Sequence, residues 1–178
     1  MRIGSFLKGG LLIVALLTAL NACNHAEATL KEAKEEMPFP VIGPDPLAEE
    51  WQMGETHVED ALVITTFRHE EDDSRQIELI QDPTIQGLKI EMVRDFLIAE
   101  DQTILQDEAE RQMIETSRYV GEVTFETRDD NDVQMTFVQK EDVYQSQTDD
   151  IPFYQVAGRD VSVHEMIDFV EDLDVLNS

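Results

Sequence analysis

The 178-residue sequence contains one cysteine and few basic side chains. A single thiol excludes an intramolecular disulfide, so the fold must depend on its hydrophobic core. Lysine and arginine together number 13 against 39 aspartates and glutamates, which gives a formal charge of −26 at pH 7. So acidic a surface repels phosphate backbones, and we therefore exclude nucleic acid as a partner.

Sequence patterns that carry catalysis or bind metals are also missing. The histidines are His25, His57, His69 and His164, and each lacks a second histidine or a cysteine at ligand spacing. There is no glycine-rich phosphate loop, and Ser117 and Ser146 lack the Gly-x-Ser-x-Gly setting of a nucleophile. A calcium loop that began at Asp130 would need glycine at its sixth position, where Met135 stands. The sequence therefore predicts no catalytic residue, no cofactor and no metal site.

The longest apolar run lies at the start of the chain. Arg2 and Lys8 precede an apolar segment, residues 9–20, which is shorter than the ~20 residues of a membrane-spanning helix. A basic start followed by a short apolar core is typical of a secretory signal peptide. The alternative is an N-terminal membrane anchor that is not cleaved. Both interpretations place the rest of the chain outside the cytoplasm.

The single cysteine follows this run, in the stretch Leu20-Asn21-Ala22-Cys23. The stretch resembles the bacterial lipobox, which has a branched apolar residue at −3, a small residue at −1 and then the cysteine; Asn21 at −2 is bulkier than that family's usual residue. The resemblance implies that a signal peptidase recognises Leu20, Asn21 and Ala22 and removes residues 1–22. It also implies that the Cys23 thiol carries a diacylglycerol, whose two acyl chains, such as palmitate, would give stable anchoring where one chain would be marginal. We therefore expect a lipoprotein on the extracytoplasmic face of the cell membrane.

The exported part, residues 23–178, is of ordinary single-domain length. The removed segment would take two basic residues and no acidic one, so the remaining 156 residues carry a formal charge of −28. Residues 23–37 are rich in alanine, glutamate and lysine and predict a polar, partly helical tether. Four of the six prolines follow within residues 38–46, and the fixed φ of proline makes this segment extended. We place the start of the domain at residue 38, with Val41 and Ile42 available to pack on its edge.

Two hairpins stand out in the domain. Residues 61–68 and 76–81 are rich in β-branched side chains and flank a charged turn that contains Glu70, Glu71, Asp72 and Asp73. We interpret this acidic cluster as a solvated turn. Apolar and polar residues alternate in residues 123–125 and 133–137, on either side of an Asp/Asn turn, which predicts a second hairpin with one buried face.

The rest of the domain mixes strand and helix signals. Residues 151–158 predict a strand and residues 102–116 a short helix, while residues 88–98, which combine alternation with an apolar patch, are a further strand candidate. A terminal helix is signalled by Ser162 as N-cap and Glu165 three residues later, before apolar residues at three- and four-residue intervals. These patterns predict an α+β domain, with an antiparallel sheet and a C-terminal helix plus one or two short helices packed on one face.

The order of these segments, from the prolines of residues 38–46 to the ending IPFYQVAGRDVSVHEMIDFVEDL at residues 151–173, resembles a known group of domains. These are extracytoplasmic domains of unknown function in Gram-positive lipoproteins and anti-sigma-factor tails. The resemblance implies a curved antiparallel sheet covered by helices, and it implies no catalytic residue. Two functions stay open: a non-catalytic binding or sensing domain for an apolar ligand or protein partner, and a structural or assembly accessory of the cell envelope or spore that works through protein contacts.

Overall fold

A computed structural model describes residues 25–83, 88–99, 111–125, 132–146 and 151–176 of the chain. The helices are α1 (residues 25–36), α2 (Ile90–Ile98), α3 (Lys140–Gln145) and α4 (Val163–Glu171). The strands are β1 (Ile42–Pro44), β2 (Trp51–Glu59), β3 (Leu62–His69), β4 (Gln76–Gln81), β5 (Arg111–Glu115), β6 (Tyr119–Phe125), β7 (Val133–Gln139), β8 (Tyr154–Arg159) and β9 (Leu173–Val175).

Seven strands form one sheet in the order β2-β3-β4-β8-β7-β6-β5, and each neighbouring pair is antiparallel. Strands β1 and β9 form a separate two-stranded antiparallel sheet. The predicted α+β class with an antiparallel sheet is therefore confirmed. Strand β1 lies in the first part of the described chain and β9 near its end, so this second sheet holds these two distant parts of the chain together.

Both predicted hairpins are present. Strands β3 and β4 pair with Phe67 opposite Ile77, and strands β6 and β7 pair with Val123 opposite Met135. All four of these side chains are buried on the same face of the sheet, as the alternation predicts. The terminal helix α4 begins where the sequence predicts, because Ser162 and Glu165 form a capping box.

Two segments differ from the sequence-based prediction. Residues 90–98 form helix α2, which buries Ile90, Val93 and Phe96 at three-residue spacing, so the helical period of this segment overrides its short alternation. The short helix expected over residues 102–116 is not formed at its end, because Arg111–Glu115 is strand β5 and pairs with β6. The part of that prediction before residue 111 lies outside the described residues.

The helices divide between the two faces of the large sheet. Helix α4 packs Met166, Phe169 and Val170 into the main core on one face, while α2 and α3 pack against Val120 and Val138 on the other face. The sequence predicts helices on one face alone. The physical reason is that β6 and β7, where they pair, carry buried apolar side chains on both faces of the sheet. Both faces must therefore be covered from water.

Candidate functional site: a groove beside the first helix

An open groove of about 570 Å³ lies between α1, the loop after β1 and the chain segment after β9. Its volume lies within the ~300–1,000 Å³ typical of small-molecule sites. The apolar lining consists of Leu30, Pro44, Pro46, Leu47, Met53 and Leu176. The charged lining consists of Glu27, Lys31, Lys34 and Asp45. The groove therefore combines an apolar floor with a charged border.

Helix α1 forms one wall of the groove and is held to the domain by its small apolar stripe. Ala26, Leu30 and Ala33 are each exposed by 3% or less, and Leu30 and Ala33 pack in one cluster with Val41 and Val63. Spacings of four and three residues put these side chains on one helix face. The segment predicted as a polar tether therefore packs on the sheet from residue 25 onward.

Three buried polar side chains hold the β1–β9 wall in place. The Gln81 side chain pairs with the backbone of Ile42, the Tyr119 hydroxyl donates to the Leu173 carbonyl at 3.0 Å, and the Tyr154 hydroxyl donates to the Pro40 carbonyl at 2.8 Å. Burial raises the pKa of both tyrosines, so each hydroxyl keeps its proton and remains a donor. These contacts fix the small sheet, and with it one side of the groove, to the large sheet.

Gly43 allows Leu30 and Leu176, two of the three leucines of the groove floor, to pack closely against β1. A Cβ atom at this position would lie 3.3 Å from Leu30 Cδ2 and 3.4 Å from Leu176 Cδ1. Leu176 is itself fixed by a hydrogen bond of 3.0 Å from its backbone N–H to the Val41 carbonyl. The floor is therefore built from segments at both ends of the described chain.

The charged residues that border the groove are not evenly distributed, because both lysines lie on α1. Lys31 Nζ lies 2.6 Å from Glu27 Oε1, and both side chains are largely exposed, at 69% and 57%. Lys34 lies three residues further along the same helix and also lines the groove, whereas Asp45 lies in the loop after β1. Residues 23–178 contain only four lysines, and two of them border this groove.

The second cavity is a polar cleft of about 320 Å³ where β4, β6, β7 and β8 end side by side. Its polar lining consists of Gln76, Glu78, Thr124, Asp132, Gln134 and Arg159. Amides, a hydroxyl and opposite charges can bind polar groups, but this set contains no thiol or histidine that could act as a nucleophile or a general base near neutral pH. We therefore regard the apolar groove as the better candidate site.

The residues predicted for lipid attachment and signal-peptidase recognition, Cys23, Leu20, Asn21 and Ala22, lie outside the described residues. The acidic cluster from Glu70 to Asp73 lies in the exposed turn after β3. There Asp72 Oδ1 accepts hydrogen bonds from the Ser74 hydroxyl at 2.8 Å and the Ser74 N–H at 3.0 Å, which lower the pKa of Asp72. Across the described ranges, no group of three or more histidine, cysteine, aspartate or glutamate side chains could hold a metal ion.

Sequence reasoning did not identify the groove. Its lining comes from α1, the proline-rich loop, β2 and the chain end, which are far apart in sequence and carry no shared motif. One available signal was the apolar stripe of Ala26, Leu30 and Ala33, which is too regular for a solvated tether. That stripe indicates a docked helix, although it does not indicate what the helix borders.

Similarity to other proteins does not assign this groove, because no family model, no curated protein and no solved structure matches the chain. The resemblance to extracytoplasmic lipoprotein domains thus stays a prediction from the sequence. Within the ranges that the structure describes, no helix is long and apolar enough to cross a membrane.

Proposed function

We propose that the chain is a lipid-anchored lipoprotein on the extracytoplasmic face of the cell membrane, with a non-catalytic binding or sensing domain. The observation that carries the binding part is the groove of about 570 Å³ with its apolar floor. The anchoring part depends on the lipobox-like sequence that ends at Cys23. The proposal assigns no catalytic residue, cofactor or metal.

Several of the residues that line the groove lie close in sequence to the predicted anchor, which links the proposed anchoring to the proposed binding. Helix α1, described from residue 25 onward, lies close to Cys23 in the sequence and supplies Glu27, Leu30, Lys31 and Lys34 to the groove. At 1.5 Å per residue, the helix from residue 25 to residue 34 spans about 14 Å. An acylated Cys23 would therefore keep the groove close to the membrane surface, where apolar ligands concentrate.

A binding domain and an envelope assembly accessory predict different surfaces. A binding domain needs an open cavity with apolar walls, whereas an accessory that works through protein contacts needs a filled core and an exposed apolar patch. The groove supports the first function. A protein partner that inserts an apolar segment into the groove would be a form of the same binding function.

Anchoring can be tested with the Cys23→Ala variant expressed in a bacterium that processes lipoproteins. We expect the wild-type protein to fractionate with the membrane, to incorporate labelled palmitate and to show the intact mass of a diacylglycerol-modified chain that starts at Cys23. Cys23→Ala should lose the label and the modification. Asn24→Ala, which changes the adjacent residue, is the matched control and should retain both.

Two results would contradict the anchoring proposal. One is an unmodified Cys23 in the native protein. The other is a mass that still includes residues 1–22 without an added lipid, because that result would indicate an uncleaved N-terminal anchor.

A further inference from the structure

We infer that the groove binds a long-chain carboxylate, with the acyl chain on the apolar floor and the carboxylate beside Lys31 and Lys34. The inference rests on the proposed binding function and names its ligand class. It does not depend on the lipid predicted at Cys23. Its basis is the apolar lining together with the distribution of charge on α1.

The floor suits a single acyl chain. Leu30, Leu47, Met53 and Leu176 come from four different segments and together offer flexible, unbranched or γ-branched side chains that can adapt to a chain. The groove is open rather than enclosed within the core, so a chain can enter from the surface. An apolar ligand placed here would remove both its own surface and these side chains from water.

The charges of α1 are sorted between its faces. Both of its lysines, Lys31 and Lys34, line the groove. Of its four acidic residues only Glu27 also lines the groove, whereas Glu32, Glu35 and Glu36 are exposed and are not part of the lining. With two lysines and two carboxylates, Glu27 and Asp45, the groove lining is richer in cations than residues 23–178 as a whole, which carry a formal charge of −28.

Such a border favours an anionic head group. Lysine can lay its methylene stem along an apolar surface and keep its ammonium group at the water boundary. The contact between Lys31 and Glu27 is exposed, and exposed ion pairs contribute little, so a ligand carboxylate can replace Glu27 at small cost. Asp45, in the loop after β1, disfavours a carboxylate beside that loop and so favours the α1 side.

The inference can be tested by photo-crosslinking on the natively processed protein in nanodiscs of phosphatidylcholine. The probe is palmitate with a photoreactive diazirine near the end of its chain, and crosslinked peptides are identified by mass spectrometry. We expect adducts on the peptides that contain Leu47, Met53 or Leu176. Excess palmitate should suppress them, whereas excess hexadecanol, which has the same chain without the charge, should suppress them much less.

Variants test the role of the lysines. The double variant K31Q/K34Q should form about fivefold fewer groove adducts, which corresponds to ~1 kcal/mol of binding free energy. Lys89→Gln is the matched control, because Lys89 is exposed at the start of α2 and does not line the groove, so adduct formation should be unchanged. Unchanged thermal unfolding of K31Q/K34Q shows that the loss does not come from misfolding.

Several results would overturn the inference. Adducts outside the groove peptides would show that the chain binds elsewhere, and equal competition by hexadecanol would show that the head group is not recognised. Suppression by phosphatidylglycerol in the nanodisc, but not by palmitate, would identify a two-chain lipid as the occupant. Adducts that appear only in Cys23→Ala would indicate that the protein's own acyl chain fills the groove. The intact mass of the same preparation reports anchoring separately, so failure of this inference is distinguishable from failure of the proposed anchoring.

Discussion

The side chain of Gln81 hydrogen-bonds both backbone polar groups of Ile42. The Ile42 N–H donates to Gln81 Oε1 at 2.8 Å, and Gln81 Nε2 donates to the Ile42 carbonyl at 3.0 Å. Both residues are fully buried. The amide thus acts as a strand partner would, and it links the last residue of β4 in the large sheet to the first residue of β1 in the small one.

Replacing Gln81 with leucine should strongly destabilise the protein. The substitution leaves the buried N–H and C=O of Ile42 without their partner, and each unsatisfied group costs ~1–3 kcal/mol. We expect a loss of about 3 kcal/mol in the free energy of unfolding, measured by urea denaturation. Gln76→Leu, on the opposite face of the same strand, is the control and should change stability by less than ~1 kcal/mol. Equal losses in both variants would contradict a specific role for the Gln81 bridge.

The N-terminus of α4 can be tested at its cap. The Ser162 hydroxyl accepts a hydrogen bond from the Glu165 N–H at 3.3 Å, and the Glu165 carboxylate accepts from the Ser162 N–H at 3.0 Å. Ser162→Ala should lower the free energy of unfolding by ~1 kcal/mol, whereas Ser162→Thr, which keeps a hydroxyl that can accept from the Glu165 N–H and donate to its carboxylate, should come within a few tenths of wild type. A urea midpoint unchanged by the alanine would argue against this helix start.

The charge on Glu165 should make part of the stability depend on pH. Hydrogen bonds from the Ser162 hydroxyl and N–H, with the nearby Arg75 guanidinium, lower the pKa of Glu165 below its usual 4.5. Because the folded state holds the charged form more tightly than the unfolded state does, this stability is present above pH 4.5 and is lost as the pH falls through the folded-state pKa.

The comparison of wild type with Glu165→Gln isolates this effect, since glutamine keeps an acceptor for the Ser162 N–H. We expect wild type to have the higher urea midpoint at pH 7 and the difference to shrink at pH values below 4.5. Glu49→Gln, at an exposed loop position, is the matched control for the loss of one carboxylate. A difference that grows on acidification would reverse the predicted sign.

Salt should stabilise the part of the chain after residue 22. Its formal charge of −28 over 156 residues makes carboxylates repel one another in the compact state. Salt screens exposed charges beyond ~8 Å at physiological ionic strength. We expect residues 24–178, a fragment that keeps the docked helix α1, to unfold at a higher temperature in ~1 M NaCl than in ~10 mM, where the Debye length is ~30 Å. Divalent cations should add only a modest, non-stoichiometric increment.

Two observations would contradict this prediction. A melting temperature that falls with NaCl would show that attractive pairs, such as Arg118 with Asp174 at 2.6 Å, outweigh the repulsion. A saturable calcium isotherm with stabilisation at low concentration would indicate a specific metal site, and the turn from Glu70 to Asp73 would then be the first place to examine.

Local patterns in the sequence were enough to predict the hairpins and the capped helix. Strands β6 and β7 alternate with period two, and α4 carries both halves of its capping box within four residues. Interactions of this kind lie between residues that are close in the chain, so the residue types alone specify them. The α+β class follows from the order of such segments.

Contacts between residues that are far apart in the chain decided the remaining features of the fold. The pairing of β1 with β9, the Gln81 bridge and the groove each join residues that only the folded chain brings together. Docking of α1 depends on a surface formed by Val41 and Val63, and no pattern within residues 25–36 reveals that surface. By itself the sequence determined the strong acidity, the lipobox-like start and the local elements, because these are properties of composition and short-range order. Only the tertiary structure decided where on the sheet the first helix packs and that it borders an apolar groove, since burial depends on which distant side chains meet.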